Sequence, residues 1–319
     1  MESFDKTDAK ILFELDRNCR QTQKQIAKRA GVSRDVVLHR VRKLEAAGIV
    51  KGYYTLIDFS KLGYTLVRVY LKLQNATEKI EKQITDYLVK ENTITVYKTS
   101  AGWDLAAGFL VRSLKEFDEM WTNFLKKFKS HIKEKTISVF YGFAHYARNY
   151  LAPEKQRDYS EAVIGGSEKV QLSESDLKLL QLIAANGKIS LIELAKQMKI
   201  SAPAVRQKMR SLENKKVILG YRATIDLNKI GYEYYKVDVE LNDIAFREAI
   251  RKFLRFHPNV VYEDITFGGS DLEFDLEVKR SDEFEKFMAL LKEKFPRAIK
   301  FFSFYKAREI LKYLYMPPS

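Results

Sequence analysis

The sequence contains very little cysteine. Cys19 is the single cysteine in 319 residues, so the chain cannot close an intramolecular disulfide or build a zinc or iron–sulfur site from several thiolates. A chain that folds without disulfides fits a reducing compartment, and we expect a cytoplasmic protein.

Long hydrophobic runs are also missing. No stretch reaches the roughly 18 to 20 apolar residues that cross a bilayer. The opening segment MESFDKTDAK carries alternating charges and lacks the apolar core of a signal peptide. The sequence therefore predicts a soluble protein without a membrane partner.

Residues that usually carry catalysis are few and scattered. The four histidines stand at positions 39, 131, 145 and 257 without the spacing of metal ligands. No phosphate-binding loop or catalytic-triad motif is present. We predict that the chain is not an enzyme and uses neither a cofactor nor a metal ion.

Positive charge is what the sequence has in excess. Lys and Arg total 56 against 42 Asp and Glu, which gives a formal net charge of +14. This surplus favours an anionic partner, nucleic acid first and a membrane surface second. The alternative is that excess lysine serves solubility alone. Hydrophobic residues make up 46% of the chain, enough to form real cores.

The chain contains the same unit twice. Shifted by about 168 positions, segment 4–64 aligns with 172–232 without a gap. Identical pairs include Asp8 with Asp176 and the serine that precedes the third helix in each copy. A period this long indicates a duplicated pair of domains, because solenoid repeats span about 20 to 50 residues.

The first part of each unit has the pattern of a helix-turn-helix. In the first copy, helices are predicted over 7–15, with Thr7 as the N-cap, over 22–30 and over 33–47. Gly31 lies where the chain must turn between the second and third helices. The strand-like IVKGYYTLIDF that follows supplies a wing or a connector.

The second copy lacks two of the glycines that favour these turns. Gly48 ends the third helix in the first copy, whereas Lys216 takes its place in the second, and Lys199 replaces the turn glycine. A left-handed backbone at each lysine costs roughly 1 kcal/mol. We therefore expect the turns of the second helix-turn-helix to be under weaker conformational constraint.

The second part of each unit follows a strand-helix-strand-strand-helix-strand order, which predicts a ferredoxin-like sandwich. The fold class is therefore α+β, with two winged helix-turn-helix domains alternating with two ferredoxin-like (βαββαβ) sandwiches. A polar linker that can extend roughly 60 Å allows the copies to lie side by side. The predicted order is winged helix-turn-helix over 1–63, sandwich over 64–151, linker over 152–169, winged helix-turn-helix over 170–231 and sandwich over 232–319.

Taken together, these residues resemble the Lrp/AsnC family of transcription regulators, also called feast/famine regulators. The resemblance rests on Asp-x-x-Asp-x-x-Ile-Leu from Asp5, the Val-Ser pair before the third helix, and Arg-x-x-x-Leu-Glu-x-x-Gly-Ile ending at Ile49. The Gly-Tyr and Ile-Asp pairs of the wing add to it. It covers nearly the whole chain, in two tandem copies.

The resemblance implies a regulator that binds double-stranded DNA through the winged helix-turn-helix. It also implies sandwiches that pair through their sheets and often sense amino acids. Ordinary members carry one copy per chain, and the tandem chain departs from that pattern. One polypeptide is therefore expected to form an intramolecular pseudo-dimer, with further homo-oligomerisation left open.

The third helix of the first copy is the predicted DNA reader, because an α-helix fits the major groove and its N-terminal residues reach base edges. Arg34 can pair with guanine, and Asp35 can accept from cytosine or orient Arg34. Later basic residues suit phosphates better. Alternatively, they form only the solvated face of a helix whose apolar residues, Val36 included, are core. The predicted DNA-binding residues are Ser33, Arg34, Asp35, Leu38, His39, Arg40, Arg42, Lys43 and Lys51.

The corresponding helix of the second copy keeps a basic face. Ala202 and Pro203 replace Arg34 and Asp35, so a different sequence preference is expected. The predicted DNA-binding residues here are Ser201, Ala202, Arg206, Gln207, Lys208 and Arg210.

The two sandwiches differ in charge on one sheet face. We hypothesise that the halves of one chain pair through these faces, guided by opposite charge. The alternative is that both faces are simply hydrated. The first copy carries Arg68, Tyr70 and Lys72 there, and the second carries Asp238, Glu240, Glu273, Asp275 and Glu277.

The family's effector-binding turn, Thr-x-Gly-x-x-Asp, appears loosely as TSAGWD and TFGGSD. Any tight hairpin favours glycine and aspartate, so the motif is weak by itself. From the resemblance we predict an amino acid or related small molecule as the ligand. The predicted effector-binding residues are Thr99, Ser100, Gly102, Asp104, Thr266, Gly269 and Asp271.

Two other functions stay open. Siroheme decarboxylases resemble this family and occur as two fused halves, although they should show a histidine-rich signature that four dispersed histidines do not provide. An architectural protein that coats DNA with little sequence preference also fits the positive charge.

Overall fold

Each copy folds in the order that the sequence predicts. The structure is a computed structural model that describes residues 4–154, 158 and 160–316. The first copy contains α1 (Lys6–Arg17), α2 (Gln23–Ala30), α3 (Arg34–Ala46), β1 (Val50–Ile57), β2 (Thr65–Leu73), α4 (Glu78–Lys90), β3 (Thr93–Ser100), β4 (Leu105–Val111), α5 (Leu114–Phe128) and β5 (Ile132–Tyr146).

The second copy repeats this order after a short extra strand. The extra strand is β6 (Glu161–Ile164), and the second copy contains α6 (Glu174–Ala184), α7 (Leu191–Met198), α8 (Ala202–Asn214), β7 (Ile218–Ile225), β8 (Glu233–Leu241), α9 (Arg247–Arg255), β9 (Val260–Phe267), β10 (Leu272–Val278), α10 (Ser281–Lys294) and β11 (Ile299–Tyr313).

The predicted start of α1 is wrong. Asp5, and not Thr7, is the N-cap. The Asp5 carboxylate accepts from the Asp8 backbone N–H at 2.8 Å, and the Asp8 carboxylate accepts from the Asp5 N–H at 3.2 Å. This reciprocal pair satisfies two of the free N–H groups at the helix start, so the helix begins earlier than predicted.

The turns around α3 and α8 require a left-handed backbone in both copies. Gly31 has φ +72° and its counterpart Lys199 has φ +56°. Gly48 has φ +65° and its counterpart Lys216 has φ +57°. The conformation is therefore retained in the second copy, although a lysine side chain adopts it less easily than glycine.

The strand after each helix-turn-helix is a connector between the copies. β1 pairs with β7 in an antiparallel sheet, with Tyr54 opposite Arg222. The Cys19 N–H donates to the Tyr221 carbonyl at 2.9 Å, and the Gly187 N–H donates to the Tyr53 carbonyl at 2.8 Å. Each set of helices is thus tied to the wing strand of the other copy.

The hydrophobic cores of the heads are shared in the same crosswise manner. We call α1–α3 the first head and α6–α8 the second head. Leu179 and Leu194 of the second head share a core with Leu56 of β1. Ile11 of the first head shares a core with Ala223 of β7. Neither head can be separated from the other copy without exposing apolar surface.

The strands of the two sandwiches form one closed barrel. Among the described residues its order is β2-β4-β3-β11-β8-β10-β9-β5, and β5 pairs again with β2. The seams between the copies are the antiparallel pairs β3–β11 and β5–β9. Closure leaves neither half with a free sheet edge towards the other.

Alternating side chains divide the barrel into an outer and an inner layer. On β2, Val67 and Val69 face outwards and pack in a core with α4 and α5, which includes Phe124. Arg68 and Tyr70 point to the inner side. The predicted paired faces are therefore the lining of a barrel.

The predicted linker 152–169 is partly structured. Residues 155–157 and 159 lie outside the described residues. Within the described part, β6 pairs with β5, with Phe143 opposite Ile164, whose side chain is fully buried. The burial of Ile164 stabilises this strand, which the polar character of the predicted linker does not indicate.

The predicted attraction between opposite charges is confirmed at Arg68. Its guanidinium donates to Asp264 at 2.7 Å and also to Glu273, both from the second copy. The rings of Tyr70 and Phe140 lie 4.6 and 4.7 Å from its guanidinium carbon, one on β2 and one on β5. This buried cation joins the two halves of the barrel.

The acidic half is less uniform than the sequence indicates. Lys236, the counterpart of Arg68, is buried in the second copy and contacts Asp264, and it contacts Asp275 at 3.0 Å. Glu277 pairs elsewhere, with Arg148 at 2.8 Å. Lys72 and Glu240 are half-buried and take no part in the described ion pairs.

Removal of the Arg68 charge should destabilise the fold. Arg68→Met leaves Asp264 and Glu273 with Lys236 as their nearest cation, and we expect a loss of about 3 kcal/mol or more in the free energy of unfolding. Urea unfolding followed by circular dichroism measures this loss. The matched control is Lys82→Met in the exposed Lys82–Asp86 pair, which should cost less than about 1 kcal/mol. Equal losses in both variants would contradict a special role for Arg68.

Candidate nucleic-acid interface

The N-terminal half of α3 presents an exposed polar face. Arg34, Asp35, His39 and Arg42 are all exposed. Arg34 Nε donates to Gln23 Oε1 of α2 at 3.2 Å, which holds the guanidinium beside the start of the helix. Ser33 is the N-cap, and its hydroxyl accepts from the Val36 N–H. Capping therefore positions α3, and its exposed face is available to DNA.

Two of the predicted DNA-binding cations form ion pairs with α1. Arg40 donates to Asp5 at 2.8 Å and to Asp8 at 3.2 Å. Lys43 lies 3.4 Å from the same Asp8 carboxylate. Both side chains are half-buried, so their ion pairs brace α3 against α1, and their contact with DNA stays a prediction.

Val36 lies outside the core, unlike in the alternative in which the apolar residues of this helix are all core. Its side chain is 37% exposed, on the same helix turn as Arg34 and Asp35. Leu38 is half-buried, while Val37 and Leu44 are in the core. An exposed valine in this position offers an apolar surface to a thymine methyl group.

The second head presents a different face. Arg206, Gln207 and Arg210 are exposed on α8, and no ion-pair partner of either arginine is found in the described part of the chain. Ser201 is the N-cap, and Ala202 is half-buried. Lys208 forms an ion pair with Asp176 at 2.9 Å, as Arg40 does with Asp8 in the first head.

Lys51 lies between the heads. It follows α3 on β1, and its ammonium pairs with Asp226 of the second copy at 2.9 Å. The side chain is still largely exposed. Lys51 therefore closes the paired wing strands and keeps part of its charge accessible to a phosphate.

The two predicted effector turns use their aspartates in the same structural way. Asp104 accepts from the Leu73 backbone N–H at 2.7 Å, and Asp271 accepts from the Leu241 N–H at 2.8 Å. Each carboxylate fastens its turn to the end of the first sandwich strand. Effector binding at these positions stays a prediction.

The remaining residues of the turns differ between the copies. Thr99 Oγ1 donates to the Trp103 carbonyl, whereas Thr266 Oγ1 donates to Glu273, the partner of Arg68. Gly102 has φ +101°. Ser100 lies opposite Lys306 in the pairing of β3 with β11. A Cβ on Gly269 would lie 2.1 Å from the Glu273 carboxylate, so a larger residue would fit there only if a neighbouring group moved.

A buried ion cluster connects the first head to the second sandwich. Arg148 donates to Asp16 of α1 at 2.6 Å and to Glu277 of β10 at 2.8 Å. Arg222 of β7 lies 3.6 Å from Asp16. Sequence reasoning missed Asp16, Arg148 and Arg222. A signal exists, because the aligned counterparts of Asp16 and Arg222 are Ala184 and Tyr54.

The interior of the barrel holds acidic groups with shifted pKa values. Burial, reinforced by Glu273, raises the pKa of Asp238 to about 7. Burial also raises the pKa of Asp275 to about 6, against the opposing charge of Lys236. Burial opposes ionisation of Glu273 as well, but Arg68 and Lys236 outweigh it and lower its pKa to about 2.

Within the described residues, no group of three or more His, Cys, Asp or Glu side chains is placed to hold a metal ion. The same part of the chain has no helix of the length and apolar character needed to cross a bilayer.

Comparison with known proteins supports the interpretation of the heads. A family model described as winged helix-turn-helix DNA-binding matches residues 4–51 and 172–218. An uncharacterised HTH-type transcriptional regulator of Pyrococcus furiosus is 33% identical over 131 residues, 40% of this chain and 82% of that protein. Regulatory protein AsnC of Haemophilus influenzae is 29% identical over 119 residues, 36% of this chain and 77% of its own.

Among solved structures, the fold is similar to that of a siroheme decarboxylase. The crystal structure of NirDL aligns with a TM-score of 0.62, covering 98% of this chain and 94% of that one. The sequence identity is 13%, so the likeness shows the shared fold and nothing of the chemistry.

Asp238 should make the stability of the fold depend on pH. Its pKa is about 7 in the folded chain against an ordinary 3.8, so the folded state binds more protons than the unfolded state between these values. Stability contributed by this proton is present below about pH 4 and is lost as the pH rises towards 7. Asp238→Asn keeps the group neutral and should lose less stability than the parent chain between pH 5 and pH 8.

Urea midpoints at pH 5 and pH 8 measure this difference. The exposed Asp118→Asn variant is the control and should keep the parent pH dependence. Identical pH profiles for Asp238→Asn and the parent would contradict a protonated Asp238.

Proposed function

The chain belongs to the Lrp/AsnC family of transcription regulators, in a tandem form, and from this we propose that it regulates transcription through two unlike DNA-reading heads. The exposed faces of α3 and α8 carry the proposal, because one chain holds both in a fixed relation through the β1–β7 sheet. We further propose that it acts in the cytoplasm, where the DNA would be reached.

Three features support a fixed spacing of the heads. Each head packs on the wing strand of the other copy, and Lys51 pairs across the wings with Asp226. Arg148 then ties the first head to the barrel. Two recognition helices held in this way are expected to contact neighbouring turns of one duplex.

The operator is proposed to be asymmetric. Arg34 can pair with the O6 and N7 atoms of guanine, and Val36 can meet a thymine methyl group. The second head has Ala202 and Ala204 at these positions. Arg206 and Arg210, one helix turn or more further on, suit phosphate contacts or a different base. A homodimer with identical heads would instead favour a palindrome.

We propose that the covalent link between the two copies makes pairing of two separate chains unnecessary. If two first copies paired, Arg68 would face Tyr97 and Ala106 of its partner, which are the counterparts of Asp264 and Glu273. A buried arginine without a carboxylate is strongly unfavourable. The unlike lining therefore favours pairing within one chain over pairing of like copies.

A small-molecule response at the turns TSAGWD and TFGGSD is part of the proposal, with an amino acid or related compound as the ligand. The support is that each turn is held firmly by its aspartate and exposes glycine backbone. Thr266 also reaches Glu273, so a ligand there would act on the ion pair that joins the halves.

We propose that the chain does not catalyse siroheme decarboxylation, since relatives such as AsnC of Haemophilus influenzae are named as regulators. The histidines of the chain also do not form a cluster in the sequence: His145 is buried beside Tyr315, whereas His39 is exposed on α3. Titration of siroheme should leave its visible absorbance as it is in buffer. A saturable spectral shift, followed by loss of carboxylate from the pigment, would contradict this.

The two heads should respond separately to mutation. Arg34→Ala should weaken binding by about 1 to 3 kcal/mol and relax specificity in one half-site of a selected operator. Arg206→Ala should change the other half-site. Selection from random DNA, followed by gel shifts over a range of salt concentrations, measures both effects.

Arg280→Ala, an exposed arginine on the second sandwich, is the matched control and should leave binding unchanged. Selection of a palindrome, or equal effects of both head variants on both half-sites, would contradict unlike heads. Binding that shows no preferred site at any salt concentration would instead indicate an architectural DNA-coating protein.

A further inference from the structure

A continuous cavity runs from the interior of the barrel to the wing strands. Its inner part has a volume of about 80 Å³ and its outer part about 380 Å³. The two parts share Tyr97, Tyr234, Tyr262, Ala307 and Tyr313 as lining residues. The outer part is large enough for a small organic ligand, and the inner part extends it into the barrel.

The walls of this cavity are rich in aromatic rings. Tyr305 and Tyr315 line the inner part, and Tyr54 lines the outer part. Tyr313 stands edge-on to Tyr54, with the ring centroids 5.3 Å apart. Rings that meet in this way form flat, rigid walls that favour an aromatic guest by stacking and edge contacts.

The Tyr97 hydroxyl in the cavity is available to a ligand. Tyr313 and Tyr315 hydrogen-bond to each other, and Tyr234 donates to Asp275. The Tyr97 hydroxyl has no hydrogen-bond partner within the described part of the chain. Burial raises the pKa of Tyr97 well above its usual value, so the hydroxyl stays protonated and can donate.

The mouth of the cavity carries an uncompensated positive charge. The pairing of β11 with β3 skips Arg308 between Ala307 and Glu309, and this bulge places Arg308 in the lining. Lys51, also at the mouth, already pairs with Asp226. No carboxylate pairs with Arg308 among the residues that the structure describes. A bulge that redirects a side chain is a common feature beside binding sites.

We propose that this cavity binds a small aromatic carboxylate, with its ring between the tyrosines and its carboxylate on Arg308. The cavity is separate from the turns TSAGWD and TFGGSD, and none of their predicted effector residues lines it. The inference does not depend on DNA binding, because occupancy of the cavity can be measured on the chain alone.

Several residues in the wall of the cavity connect it to the heads. Ala223, Thr224 and Ile225 of β7 form part of the wall, together with Lys51 of β1. Arg148, which holds Asp16 of the first head, lines the same space. A ligand that contacts these residues therefore joins the wing strands to the barrel.

Calorimetric titration of the full-length chain with benzoate, 4-hydroxybenzoate and phenylpyruvate tests the proposal. At least one acid should bind with a stoichiometry of one per chain. Benzamide, which lacks the charge, and cyclohexanecarboxylate, which lacks the ring, should each bind at least tenfold more weakly. Silence of all three acids, or equal binding of these analogues, would overturn the proposal.

Variants locate the site. Arg308→Gln removes the mouth cation, and Ala307→Leu fills the space where the two parts of the cavity meet; each should lower affinity at least tenfold. Lys300→Gln, an exposed cation on the same strand outside the cavity, is the matched control and should bind as the parent does. Circular dichroism and the thermal midpoint show that each variant is folded.

A second set of variants separates this cavity from the turns. Asp104→Asn and Asp271→Asn should leave binding of the aromatic acid unchanged, because both residues lie outside the lining. Loss of binding in these variants, with Arg308→Gln and Ala307→Leu unaffected, would place the ligand at the turns and overturn the proposal. The same titrations with the twenty amino acids test the turns themselves.

Discussion

The contact of Arg68 with Asp264 and Glu273 is the interaction on which the rest of the structure depends. It places a cation of one copy among carboxylates of the other, inside a barrel that both copies close. Desolvation makes such a contact costly when it is incomplete, so the two halves must meet in one arrangement. The barrel then fixes where both wing strands leave it, and the wing strands fix the heads.

Duplication has produced two copies that share a fold but differ in their polar residues. Asp16, Arg148, Arg222 and Glu277 form a buried ion cluster at one junction of head and barrel. At the aligned positions of the other junction, aromatic and apolar residues such as Tyr54 pack in a core. The first head is therefore held by a buried ion cluster in addition to its hydrophobic core, whereas the aligned junction of the second head is apolar. Such a difference allows them to respond unequally to a ligand or a partner.

The wing strands connect the DNA-reading surface to the interior of the barrel. β7 contributes to the head cores on one side and to the wall of the tyrosine-lined cavity on the other. Arg40 and Lys208, which are basic residues of the reading helices, brace those helices against α1 and α6 and do not project freely. The angle of each reading helix thus depends on internal ion pairs, while the outward residues remain for DNA.

The sequence by itself determined the duplication, the order of the elements, both helix-turn-helix units and the opposite charges of the two sandwiches. These follow from local periodicity, turn residues and alignment of the copies, all of which can be obtained from the sequence alone. Only the tertiary structure decided that the strands close a barrel, that each head packs on the other copy, and that Arg40 serves α1. Those outcomes depend on contacts between residues far apart in the chain, and a one-dimensional pattern does not record which partner a charged or apolar side chain will meet.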